Sequence, residues 1–201
     1  PRGWAQRMAA TLTATGLLLG AAAATRDDSG ALPPDQQLCR EYVVRSANET
    51  WRSAKGALAF PYLVPAGPYQ QCWDWDSVFL GVATLPFGAG PFFAGSMMNF
   101  LAATNLSTGA VTGCLTVTLP TRCSSSTKYH DALHHAKPIL IQGAWLAASG
   151  AGGGSPAAFE RFKPAMEALL AFWDRPPRLD PATGLRTWHD QMESGADNCV
   201  L

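Results

Sequence analysis

Apolar residues recur along most of this chain at helical spacing, interrupted by short segments rich in proline and glycine. Across residues 35–58 they fall at Leu38, Tyr42, Val43, Ala47, Trp51 and Ala54, a pattern that predicts a helix with one buried face. A Pro- and Gly-rich loop follows at 61–68. The next helix is expected over about 76–85, stopped by Pro86, Gly88 and Gly90, and another over about 92–104 with Pro91 at its start. Between Gly109 and Leu119 the pattern changes to Val111, Leu115, Val117 and Leu119 with threonines between, which predicts a short hairpin or extended insertion. Residues 136–148 are apolar on nearly all sides, as in a helix of an inner layer. After a glycine connector and a Ser155 N-cap, residues 157–173 align Phe159, Phe162, Met166, Leu169, Leu170 and Trp173 on one stripe, predicting an amphipathic outer helix.

Very apolar helices therefore alternate with amphipathic ones. Paired inner and outer helices stacked about an axis make an α/α toroid. The alternation predicts an all-α fold that amounts to about half of such a toroid, with a short β insertion. Residues 27–34 read as a polar, proline-closed linker, which divides the chain into a leader plus linker over 1–34 and a toroid part over 35–201.

Within the leader, Arg2 and Arg7 precede an apolar run around Leu17, Leu18 and Leu19 and an Ala-rich exit, the pattern of a signal peptide. Its Ala, Thr and Arg content, with no acid before Asp27, leaves an organelle transit peptide open. The run is short for a spanning helix, so no stable membrane association is expected beyond this leader. Asn48-Glu49-Thr50 and Asn105-Leu106-Ser107 are glycosylation sequons and favour the secretory or extracellular route.

Lys and Arg number 15 and Asp and Glu number 15, so nothing in the charge balance draws the chain to nucleic acid or an anionic membrane surface. Low charge combined with 7 Trp, 9 Phe and 4 Tyr suits an aromatic-rich interior or a sugar-binding cleft. The 5 cysteines form no C-x-x-C pair, which argues against a zinc site. Cys114 and Cys123 flank a turn-rich stretch and can close a small disulfide loop in an oxidising compartment.

Three segments carry candidate chemistry. The first, Cys72-Trp73-Asp74-Trp75-Asp76-Ser77, precedes a helix; Asp76 alone would be an ordinary N-cap. Two indoles alternating with two carboxylates suit a sugar better, because aromatic faces pack on pyranose rings while carboxylates accept from hydroxyls. The second holds His130, Asp131, His134 and His135 beside Lys137-Pro138; a metal site, a loop cluster and pocket lining are its three readings, and no H-E-x-x-H pattern is present. The third begins with a tight turn at Asp180-Pro181 and Thr183-Gly184, continues through Trp188-His189 and closes on Glu193-Ser194-Gly195-Ala196-Asp197-Asn198. Alone, Glu193 and Asp197 would read as a capping pair at a helix start. Two acids beside a Ser-Gly break can also divide acid and base work.

Taken in order, these blocks resemble glycoside hydrolase family 63 and its mannosylglycerate hydrolase-like relatives, with trehalases a more distant cousin sharing W-D-S and E-S-G-x-D blocks. The resemblance spans roughly residues 41–198. It implies the (α/α)6 toroid of the six-hairpin glycosidases and inverting hydrolysis of an α-glycosidic bond. It assigns the general acid to Asp197, which must stay protonated near working pH, and makes Glu193 a pocket or supporting residue. Trp75 and Asp76 match the pair that holds the sugar. Lys137-Pro138 matches a Pro-rich pocket wall, where the usual double proline is Pro138-Ile139. Trp73, Trp188 and His189 complete the expected substrate-binding set. A carbohydrate is the implied partner; no metal or cofactor is. In that group the general base is a glutamate further downstream, and no residue of this chain takes the role, so the chain by itself is expected not to turn over substrate. The sugar stays open, as do a non-catalytic sugar-binding toroid, a trehalase-like α-glucosidase and a helical fragment that does not fold alone.

Overall fold

The computed structural model describes residues 33–67, 69–118, 135–149, 152 and 154–188. The chain divides into two compact units, Pro1–Tyr42 and Val43–Leu201. Helix α1 (Pro34–Thr50) begins in the first and ends in the second.

The described residues of the second unit are mostly helical: α2 (Asp74–Thr84), α3 (Gly90–Ala103), α4 (Ile139–Ala148), α5 (Pro156–Glu160) and α6 (Lys163–Trp173), with a 3₁₀ turn at Leu85–Phe87. Short strands brace them. β1 (Trp51–Arg52) pairs antiparallel with β2 (Tyr62–Leu63), and β3 (Cys72–Trp73) with β4 (Cys114–Leu115).

Helices α2, α3 and α4 pack on one another. Their shared interior includes Val78, Phe93, Met97, Phe100, Leu101, Leu140 and Ala144, all buried. Each of the larger side chains contributes about 1.5–3 kcal/mol on leaving water. Small residues set the approach. Gly143 of α4 lies against Met97 and Val78, where a Cβ would press on both. Helix α6 closes over α3 and α4, burying Ala165, Leu169 and Trp173.

Strand β2 lies along α3, and the helix satisfies its backbone. Ser96 Oγ accepts the Leu63 N–H at 2.8 Å. Asn99 accepts the Phe60 N–H at 3.1 Å and donates to the Phe60 carbonyl at 3.0 Å. Gly95 permits this closeness, because a Cβ there would overlap the Pro61 carbonyl oxygen. A polar stripe on an otherwise apolar helix thus meets backbone groups that would be costly to bury unpaired.

The pattern-based expectations hold for α2, α3 and α4 in their existence and for Ser155 as N-cap, whose hydroxyl accepts the Ala158 N–H at 3.2 Å. Several details differ. Helix α1 stops at Thr50, and Trp51 turns into β1, where the Thr50 carbonyl accepts from Val64; β-branched and aromatic residues favour that switch. Leu38 and Tyr42, expected on the buried face, are 64% and 66% exposed. Within the expected insertion, β4 pairs among the described residues with the distant β3. The single outer helix over 157–173 is two, α5 and α6, because Pro164 lacks the N–H a continuous helix needs and its ring clashes with the preceding turn. Helix α4 begins at Ile139 rather than 136, since the residue before Pro138 is steered out of helical conformation.

Of the two sequons, Asn105–Ser107 occupies an exposed turn in which Asn105 Oδ1 accepts from both the N–H and the hydroxyl of Ser107. At the other, Thr50 is buried and donates its hydroxyl to the Ser46 carbonyl. No described helix is long and apolar enough to cross a membrane.

Candidate functional site

The W-D-W-D block straddles a strand and a helix. Trp73 pairs with Cys114 across β3–β4, and the next residue, Asp74, continues the ladder by donating its N–H to the Gly113 carbonyl at 2.9 Å. Helix α2 starts there, with Asp74 and Asp76 both in the first turn, where the exposed N–H groups favour negative charge. Helical geometry then separates the two acids. Asp74 heads the buried stripe Asp74, Ser77, Val78, Gly81, while Asp76 is exposed.

A carboxylate buried without a partner would be prohibitive. Asp74 has one from across the fold. Lys137 Nζ lies 3.3 Å from Asp74 Oδ1, and the Lys137 backbone N–H donates to Asp74 Oδ2 at 2.7 Å. Both residues are sealed from solvent, at 0% and 2% exposure. The same ammonium sits 5.4 Å from the centroid of the Trp75 ring, within cation–π range. One lysine therefore links the first block to the second.

Around this buried pair lie aromatics that reach the surface. Trp75 is half-buried and meets Phe79, 50% exposed, edge-on at 5.2 Å between centroids. Trp73, also half-buried, meets Tyr69 edge-on at 6.5 Å. Exposed Asp76 follows Trp75 directly. An indole with a neighbouring accessible carboxylate is the combination a pyranose ring and its hydroxyls require.

The third block approaches from α6. Residues 174–188 fold back as a narrow loop closed by pairing between Leu179 and Arg186 and by an ion pair of Arg186 with Asp174. Its turn is organised by Asp180, whose carboxylate accepts from the Thr183 hydroxyl and the Ala182 N–H; these bonds hold its carboxyl below the usual range. The loop returns Trp188 onto Trp173, edge-on at 5.5 Å. Trp173 in turn donates its indole N–H to the carbonyl of Ala136, the residue before Lys137, at 3.0 Å. Contacts thus run from Trp75 through Lys137 and Ala136 to Trp173 and Trp188.

His135 takes a packing role: its ring leans on Phe172 at 4.8 Å, and its Nδ1 lies 3.3 Å from Arg178 Nη2. The buried Arg178 guanidinium covers Trp173 at 5.1 Å. His130, Asp131 and His134 lie outside the described residues, and among the described ones no three His, Cys, Asp or Glu side chains gather as a metal site.

Of the expected site residues, Trp75 and Lys137 are in contact, Asp76 and Trp73 flank Trp75 in sequence, and Trp188 connects through Trp173. His189, Glu193 and Asp197 lie outside the described residues. The sequence reading takes Asp74 only as one of two carboxylates for a sugar's hydroxyls, but it is sealed from solvent against Lys137 and anchors the arrangement from inside. The signal for it is present: a carboxylate at the head of a small, apolar stripe with period 3.6 must bury against a cation.

The cysteines divide by environment. Cys39 is free and exposed, while Cys72 is free and buried, and burial pushes its thiol up to about 12. Cys114 is disulfide-bonded; Cys123, its expected partner, lies outside the described residues.

Over 149 residues the chain is 24% identical to the cytosolic neutral trehalase of Kluyveromyces lactis, a match that covers 72% of this chain. The chain spans 17% of that protein's length. No protein-family model and no solved structure matches it.

Proposed function

We propose that this chain is part of a glycoside hydrolase of the six-hairpin type, hydrolysing an α-glycosidic bond with inversion on an (α/α)6 toroid. The observation that carries the reading is the meeting of two distant blocks, W-D-W-D and Ala-Lys-Pro, at the Trp75–Lys137–Asp74 contact. The similarity to a trehalase supports it from outside and makes trehalose the first sugar to test.

In this proposal Trp75 offers a ring face to the sugar and Asp76 accepts from its hydroxyls. Asp197, two residues after Gly195 in the closing block, protonates the departing oxygen. A base on the opposite side, about 6.5–9.5 Å away, activates water, and comes from a glutamate beyond these 201 residues. The exposed Asn105 sequon and the Cys114 disulfide support a secretory route for this protein.

Titration of the full-length protein with trehalose, read by calorimetry, tests the binding half. Asp76→Ala and Trp75→Ala should each weaken binding by about tenfold or more, the loss expected when a charge-assisted hydrogen bond or a stacked aromatic is removed. Unchanged affinity in both variants would sink the assignment.

A further inference from the structure

We infer that Lys137 and Asp74 form a positioning device for Trp75, with Lys137 acting from behind the indole rather than on the ligand. The importance of Trp75 rests on the proposed sugar site; the geometry of the device does not.

Among the described residues, Lys137 has no open path to a ligand. It is 2% exposed, and its ammonium is held between the Asp74 carboxylate at 3.3 Å and the Trp75 ring at 5.4 Å. Stability alone does not account for such a pair. Replacing a buried ion pair by apolar groups of similar shape is often neutral or favourable, and a methionine would fill the same stem volume. What a methionine cannot do is choose an orientation. The ammonium attracts the face of the indole and excludes arrangements that turn the ring edge toward it. Phe79 also meets the indole edge-on, so the ring has two contacts that constrain it.

Asp74 fixes the lysine in its turn. It accepts from both the ammonium and the backbone N–H of Lys137, which sets the start of α4 and the reach of the side chain together. Its own N–H is tied to Gly113. The first turn of α2, β4's lead-in and the approach to α4 therefore meet at one carboxylate. Binding groups held in place before the ligand arrives lose less freedom on binding, and an indole pinned from behind is such a group.

The test compares wild type with Lys137→Met, Lys137→Arg and Asp74→Asn, each with and without Trp75→Phe. The difference between the paired near-ultraviolet circular dichroism spectra isolates the Trp75 signal. Lys137→Met and Asp74→Asn should lose more than half of it while far-ultraviolet spectra stay unchanged; Lys137→Arg, which keeps a cation over the ring, should retain it. Trehalose affinity should fall about tenfold in Lys137→Met and recover in Lys137→Arg, as expected for loss of a desolvated cation–π contact behind the binding face. An undiminished Trp75 signal in folded Lys137→Met overturns the inference. If Lys137→Met does not fold, Asp74→Asn decides, because it keeps the shape and the acceptor for the Lys137 N–H; if neither folds, the pair is a plain structural element and the inference fails. If the Trp75 signal behaves as expected but wild type binds no trehalose, the positioning device stands and trehalose is lost as its ligand.

Discussion

Asp74 and Asp76 are two positions apart, and their environments are opposite because a helix turns about 100° per residue. One is sealed against Lys137; the other faces water. A comparable contrast separates the cysteines. Cys39 is exposed, whereas burial raises the Cys72 thiol from an ordinary 9.0 to about 12, with the nearby Asp74 and Asp76 adding to the rise and hydrogen bonds from Ser77 and Ser96 opposing it. At pH 8, thiol alkylation followed by peptide mapping should find Cys39 modified and Cys72 untouched until denaturant is added. Modification of both at equal rates would contradict the burial. The unfolded chain gives up the Cys72 proton first, so this contribution is complete below about pH 9 and is lost as pH rises toward 12. Single residues are partly legible in the sequence. Trp75 and Lys137 are visible as block members, but their contact is not, since 62 positions separate them (137 minus 75) and no local pattern encodes a long-range cation–π contact.

Helices α2, α3 and α4 can be anticipated from period and stop signals because proline and glycine act locally. The break at Pro164 is equally local, yet a continuous apolar stripe on both sides conceals it; covalent geometry prevails over pattern there. Strand pairing is less legible. Two-residue strands carry almost no periodic signal, and their partners are chosen by tertiary contact. The junction of β2 with α3 supplies an element-scale prediction. Asn99→Ala leaves the Phe60 N–H and carbonyl without partners and should destabilise the fold by about 2–4 kcal/mol, read as a fall in the urea midpoint at unchanged slope. A midpoint equal to wild type would mean that the strand does not depend on this clamp.

For the whole molecule, the mostly helical architecture is legible and the closure of a toroid is a proposal. Alternation of very apolar and amphipathic helices argues for layers, but the number of helices around an axis depends on contacts no single helix encodes. The candidate site shows the same division. Its aromatic and carboxylate groups are readable as residue types, while their arrangement needs the fold: Trp188 joins the first two blocks only because the loop over 174–188 returns it to Trp173. The proposed acid, Asp197, comes after that loop in sequence.

The most direct measurement is a proton-NMR time course of trehalose hydrolysis by the full-length protein and its Asp197→Asn variant. Inversion at one of the two linked anomeric carbons predicts α- and β-glucose released in equal amounts at early times, with no product from Asp197→Asn while trehalose binding persists. Release of α-glucose alone, or undiminished turnover by Asp197→Asn, would contradict both the mechanism and the role given to the closing block.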